Sequence, residues 1–217
     1  MKVALIGATG FVGSAILNEL TERDNQVIAI ARNTDKIANQ STNIEKKNAD
    51  VYNQEELTAA IADADVVISA FNPGWTNPNI AEDYRNGAES IQKSVENSNT
   101  KRLIVIGGGG TLKINGNYIV DGPDFPKDIY DAANSVKNYF VEHLSKNETL
   151  DWEFFSPALE MYNGNGLPKT GNYRYGTDAP VFNDEGRSLL SVEDLAVAVV
   201  DEVENKQFVK QQFTAGY

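Results

Sequence analysis

Residues 1–13 read MKVALIGATGFVG, and the fold can be worked out from them. Residues 3–6 are a short apolar run of strand type. Gly7, Gly10 and Gly13 follow at intervals of three, and the pattern then turns helical, with Val12, Ile16 and Leu20 on one face. A strand, a glycine turn and a helix form the build of a phosphate-binding βα unit. Gly7 allows the sharp turn, Gly10 removes a side chain where a pyrophosphate would approach, and Gly13 lets helix and strand pack closely. Thr9 offers a hydroxyl. Phe11 and Val12 stand at the helix start, where unpaired N–H groups and a partial positive charge face an anion. The spacing is G-x-x-G-x-x-G rather than the commoner G-x-G-x-x-G, and a plain tight turn is the alternative. The strand before it and the helix after it favour a dinucleotide site.

The same alternation continues downstream. Further strands are expected at 26–31, 44–48, 65–70, 102–106 and 152–156. One helix carries Leu57 and Ile61, others span about 80–97 and 128–146, and a last one opens at Ser191. Asp194, third in that helix, completes a capping-box pattern with Ser191. Residues 212–215 are expected as an edge strand, and a small hairpin around Tyr173 and Val181. Near-continuous apolar strands alternating with amphipathic helices predict an α/β fold. It is a Rossmann-type doubly wound parallel sheet, ordered 3-2-1-4-5-6, with helices on both faces and a small irregular C-terminal substrate region. No repeat or linker divides the 217 residues, so a single dinucleotide-binding domain over residues 1–217 is expected. Its substrate-side loops lie at about 107–127 and 157–190.

Composition narrows the partners. There is no cysteine, which removes disulfides, thiolate ligands and cysteine nucleophiles. No cluster of His, Asp and Glu has metal-ligand spacing, so no metal is expected. The net charge of -12 argues against nucleic acid and anionic membranes. The start lacks signal-peptide character, and no apolar run approaches the roughly 20 residues of a membrane span. A cytoplasmic protein acting on a small molecule is expected, with monomer and homodimer both open.

In a doubly wound sheet ligands bind beyond the carboxyl ends of the strands. After the second strand stand Ala31 and Arg32, where a carboxylate would select the NAD ribose. A guanidinium pairs with a 2′-phosphate instead, so Arg32 favours NADP over NAD; a solvated surface arginine is the alternative. After the third strand, Asp50 is placed to accept from an adenine amino group with Val51 against the ring, or else to cap the next helix. After the fourth, Ser69, Ala70, Phe71 and Asn72 would lie along ribose and pyrophosphate. After the fifth come four glycines at 107–110, of which Gly107 and Gly108 are assigned to the cofactor; such a run fits the approach of something flat or a flexible loop. After the sixth, Ser156 and Pro157 would sit near a nicotinamide.

GATGFVG at the start, SAFNPG after the fourth strand, KRLIVIGGGGTL at the fifth, DGPDFP in the next loop, DWEFFSPA at the sixth and SVEDLAVAVVDEVE near the end form a recognisable set. Together they resemble the bacterial NAD(P)H-flavin reductases, which are atypical short-chain dehydrogenase/reductases similar to biliverdin reductase B and to NmrA-like sensors. The resemblance covers essentially the whole chain. It implies a Rossmann core that binds NAD(P)H and reduces a flavin (FMN or FAD) or a similar flat acceptor.

Ordinary short-chain dehydrogenases carry a Ser and a Tyr-x-x-x-Lys pair that moves a proton at the substrate oxygen. Here Tyr130 is followed four residues on by Asn134, Tyr139 by His143, and glycines stand where the Ser is expected. That absence fits hydride delivery to a flavin, for which Tyr130 and Ser156 are the only catalytic candidates. It fits equally a non-catalytic redox sensor acting through a protein partner, and it weakens an epimerase or dehydratase. His143, the single histidine, is expected packed on the apolar face of its helix. Trp75, Tyr162, Tyr173 and Tyr175 are read either as an acceptor pocket or as ordinary packing.

Overall fold

Val3, Ala4, Leu5 and Ile6 are buried because their strand lies deep inside an eight-stranded sheet. The computed structural model describes residues 1–217. The sheet is built from β1 (Lys2–Ile6), β2 (Gln26–Ala31), β3 (Ile44–Asn48), β4 (Val66–Ser69), β5 (Arg102–Ile106), β8 (Asp151–Phe155), β9 (Arg174–Gly176) and β10 (Gln211–Gly216). Their order is β3-β2-β1-β4-β5-β8-β10-β9. All pairs are parallel except β10 with β9.

The first six strands run in the expected order. The chain leaves β1 toward β2 and β3 and returns on the other side as β4, so the switch point lies between β1 and β4, where this fold opens its ligand crevice. Two expectations are corrected at the other edge. Residues 212–215 belong to β10, which is covered on one side by β8 and on the other by β9. The stretch at Tyr173 forms no hairpin with Val181, because Arg174–Gly176 finds its partner in β10 instead.

Five helices cover the sheet. On one face α1 (Phe11–Glu22) and α5 (Val192–Asn205) pack on Leu5, Ala29, Phe155 and Phe213. On the other, α2 (Gln54–Ile61), α3 (Ile80–Asn97) and α4 (Tyr130–Glu142) cover Ile6, Val67, Val105 and Phe154. The loop after β5 holds its own hairpin, β6 (Lys113–Ile114) with β7 (Asn117–Tyr118), which turns through Asn115 and Gly116 at positive φ. No helix is long and apolar enough to cross a membrane.

The capping box at α5 is half formed. Ser191 Oγ accepts from the Asp194 N–H at 3.0 Å, but the Asp194 carboxylate turns away. It accepts from the Thr170 and Gly171 N–H groups, the Thr170 hydroxyl and the Tyr217 hydroxyl. The Ser191 N–H is taken up by the Tyr217 hydroxyl at 3.1 Å.

Candidate functional site

Gly7 has φ of +81° and carries the chain out of β1. Its N–H donates to the Ile30 carbonyl at 3.0 Å, and a β-carbon there would lie 2.6 Å from the Ala70 carbonyl oxygen. The ends of β1, β2 and β4 therefore meet at this residue. Gly13 is in contact with the loop, since a β-carbon on it would stand 2.0 Å from the Gly7 carbonyl oxygen. Gly10 differs: it is exposed, and a β-carbon on it would meet only the Gly7 oxygen, at 3.3 Å.

The start of α1 is chemically distinct from the other helix starts. Gly10 is its N-cap, no side chain caps it, and its first turn holds no acidic residue. The other four helices all have acids in the first turn. The first-turn N–H groups of α1, beside exposed Thr9 and Phe11 and half-buried Val12, are open to an anion. A dinucleotide pyrophosphate fits this cradle of backbone donors, bare glycine and absent carboxylate.

Arg32 follows β2 and is exposed, without an ion pair in the chain. The end of β3 lies alongside, with the Ala49 N–H on the Ala31 carbonyl at 3.1 Å. Asp50 does not cap α2, because Asn53 does, accepting from the Glu56 N–H. Asp50 Oδ1 accepts instead from the Tyr52 N–H at 3.1 Å, within its own turn. The Val51 side chain is buried with Leu57, Ile61 and Ile91 of α2 and α3, and its carbonyl accepts from the Ser90 hydroxyl.

At the end of β4, Ala70 and Phe71 bring backbone against Gly7. The Phe71 ring turns away from the loop onto α3, stacked on Tyr84 at 6.2 Å and seated where Gly87 lacks a side chain. Ser69 is buried, and exposed Asn72 accepts from the Gly74 N–H through Oδ1.

The ends of β5 and β8 are joined by the Gly107 N–H on the Phe155 carbonyl at 2.8 Å. Gly107 is required by the core as well, because a β-carbon there would enter the Phe154 ring at 2.1 Å. Gly108 is open, with only Val136 near its missing side chain. Gly109 and Gly110 begin a single 3-10 turn that ends at Thr111, so the run is folded and not a flexible loop. Ser156 is fully buried, and its hydroxyl meets Thr111 Oγ1 at 2.7 Å and Gln212 Nε2 at 2.8 Å. The serine hydroxyl thus faces protein, and the following Pro157 is buried beside Gly109. The sequence signal for Gln212 is its place in the alternation Gln212, Phe213, Thr214, Ala215 of β10; Thr111 carries no signal of its own.

Tyr130 opens α4, exposed, with its ring edge-on to Phe125. Tyr139 is buried, with its hydroxyl on Gln92, and burial pushes that phenol well above its usual range. Lys137, the lysine of α4, is paired with Asp121. His143 is corrected: α4 stops at Glu142, so the imidazole lies exposed at the helix end, 3.5 Å from Glu89. Tyr173 and Tyr175 pack on α5 through Asp201 and the Ala198 carbonyl. Trp75 and Tyr162 are exposed.

A family model described as NAD(P)H-binding matches residues 7–206. The uncharacterized protein YwnB of Bacillus subtilis is 34% identical over 99% of this chain and 97% of its own. A Bacteroides thetaiotaomicron protein provisionally named an epimerase superposes with a TM-score of 0.91 at 36% identity, covering 100% of this chain and 96% of that one. A Streptococcus pneumoniae protein provisionally named an NADH-flavin reductase superposes with a TM-score of 0.86 at 30% identity, covering 100% and 99%.

Proposed function

The chain belongs to the NAD(P)H-binding family, and from that premise we propose that it is an NADPH-preferring reductase of a flavin or similarly flat acceptor. The observation that carries the reading is the empty acid–base position on α4. Tyr130 has Asn134 where a lysine would lower its pKa, and Tyr139 has His143 and a hydroxyl held by Gln92. Carbonyl or alcohol chemistry needs a proton donor at the substrate oxygen. A flavin does not, and this counts against reading the chain by its epimerase-named neighbour.

When bound, the reduced nicotinamide supplies a hydride, which a flavin accepts at N5 while the remaining proton comes from water. The chain's own residues bind and orient. The loop at Gly7, Thr9 and Gly10, with the N–H groups of Phe11, Val12 and Gly13, holds the pyrophosphate. Arg32 faces a 2′-phosphate, and Asp50 stands at the adenine end. The backbone of Ala70, Phe71 and Asn72 follows the ribose, and Gly107, Gly108 and Pro157 border the reacting ring. Catalysis is then by proximity and stacking.

Steady-state oxidation of NADPH with FMN, FAD and quinones tests the reading. Turnover supports it. Cofactor binding without oxidation by any of them would overturn it in favour of a redox sensor, which the same empty position also suits. A cytoplasmic location fits either role.

A further inference from the structure

Gln212, Ser156 and Thr111 form one directed hydrogen-bond chain behind the glycine run. Thr111 Oγ1 donates to the Gly108 carbonyl at 2.7 Å. A hydroxyl has a single proton, so in the 2.7 Å contact between Thr111 Oγ1 and Ser156 Oγ the serine is the donor. Ser156 Oγ in turn accepts from Gln212 Nε2 at 2.8 Å. The second hydrogen of the same Nε2 goes to the Thr111 carbonyl at 2.9 Å. That last bond sets the orientation of the amide, because a flipped Gln212 would place oxygen against oxygen. All three residues are buried.

The chain ends on Gly108, whose own side is open. With its carbonyl drawn into the network by Thr111 Oγ1 and the Thr111 N–H, the Gly108–Gly109 peptide plane has no free rotation, and the N–H of that planar unit points the opposite way. The same network ties three segments that converge at this end of the sheet: the turn after β5, the end of β8 and the second residue of β10. We propose that Gln212 is a positioning residue, which sets the Gly108–Gly109 peptide as the wall against which the reacting ring lies. It touches no ligand itself and acts through Ser156 and Thr111. The inference rests on the reductase reading above.

The test uses the full chain and the variants Gln212→Leu, Gln212→Glu and Thr111→Val. NADPH affinity is measured by titration, the environment of the bound nicotinamide by its fluorescence, and hydride transfer by single-turnover oxidation with FMN. Loss of the network is expected to leave the NADPH dissociation constant within about twofold, since the pyrophosphate and 2′-phosphate contacts lie elsewhere, while transfer slows about ten- to a hundredfold. The bound-nicotinamide emission is expected to shift in all three variants. Gln212→Glu adds a readout that a merely structural role would not move. Its carboxyl donates only when protonated, so its rate relative to wild type should recover as pH falls, and Gln212→Leu should not. Wild-type transfer and emission in folded Gln212→Leu and Thr111→Val would overturn the proposal and leave the reductase reading standing. Wild-type protein that binds no NADPH would overturn both. Binding without oxidation by FMN, FAD or quinones would end the reductase reading, and the emission shift would then decide whether Gln212 positions the bound ring.

Discussion

A β-carbon on Gly13 would lie 2.0 Å from the carbonyl oxygen of Gly7, so the first turn of α1 rests directly on the loop that leaves β1. The contact is backbone on backbone and has little room to give. Gly13→Ala is therefore expected to lower stability by about 1–3 kcal/mol or more, read from denaturant midpoints. Gly10→Ala is the contrast. Gly10 has φ of -78°, which alanine adopts, and nearly open space beside it. It should keep stability within about 1 kcal/mol and weaken NADPH binding at least about tenfold. Equal effects of the two substitutions would show that the glycines do not divide packing from ligand approach.

Arg32 is exposed and free of ion pairs at the end of β2. Arg32→Ala should cost about 1–3 kcal/mol of NADPH affinity, the range for charge-assisted hydrogen bonds. NADH affinity should hardly change. Calorimetric titration of both cofactors checks this, and equal losses would remove Arg32 from the 2′-phosphate site.

Glu153 is buried midway along β8, where Arg102 Nε and Nη2 donate to it at 3.0 and 3.2 Å. Arg102 also reaches the Glu202 and Val203 carbonyls. Burial outweighs the arginine and pushes the Glu153 carboxyl up to about 7 from an ordinary 4.5. A folded pKa above the unfolded one means that the folded state binds the proton more tightly. The contribution is complete below about pH 4.5 and is lost as pH rises through about 7. Thermal midpoints should carry a decline across that window, and Glu153→Gln should flatten it. An unchanged slope in that variant would show that Glu153 does not titrate there.

Tyr217 closes the helix start at Ser191. Its hydroxyl accepts the Ser191 N–H and donates to Asp194 at 2.6 Å. Tyr217→Phe strands the buried Ser191 N–H and removes one of three donors to Asp194 Oδ2, so a loss of about 1–3 kcal/mol is expected. Amide exchange should quicken at Ser191 more than at Gly13, which does not touch this cluster; uniform quickening would contradict a local role.

Sequence periodicity carries the sheet as far as β8 because β1, β2, β4, β5 and β8 are runs of buried, mostly apolar residues, and α1, α2, α3 and α4 separate most of the strands. Past residue 157 the rule still finds α5, opened by Ser191, but strand pairing there depends on distant partners. Arg174–Gly176 is too short to signal a strand, and its pairing with β10 is decided by packing against α5 and Phe213. His143 leaves the expected apolar face because α4 ends at Glu142, short of the expected 146, and periodicity past that point has no meaning. The hairpin of β6 and β7 is signalled by its Asn115–Gly116 turn residues. At the site, glycines and strand ends were legible because backbone geometry needs those residue types. The Gln212 network was not, since a polar residue in a strand signals a partner without naming it.

The central claim is most directly tested by titrating the purified full chain with NADPH and NADH, following nicotinamide fluorescence and heat. The account predicts saturable binding of NADPH in the micromolar range, tighter than NADH, and abolished or strongly weakened in Gly10→Ala. No saturable binding of either cofactor would contradict it.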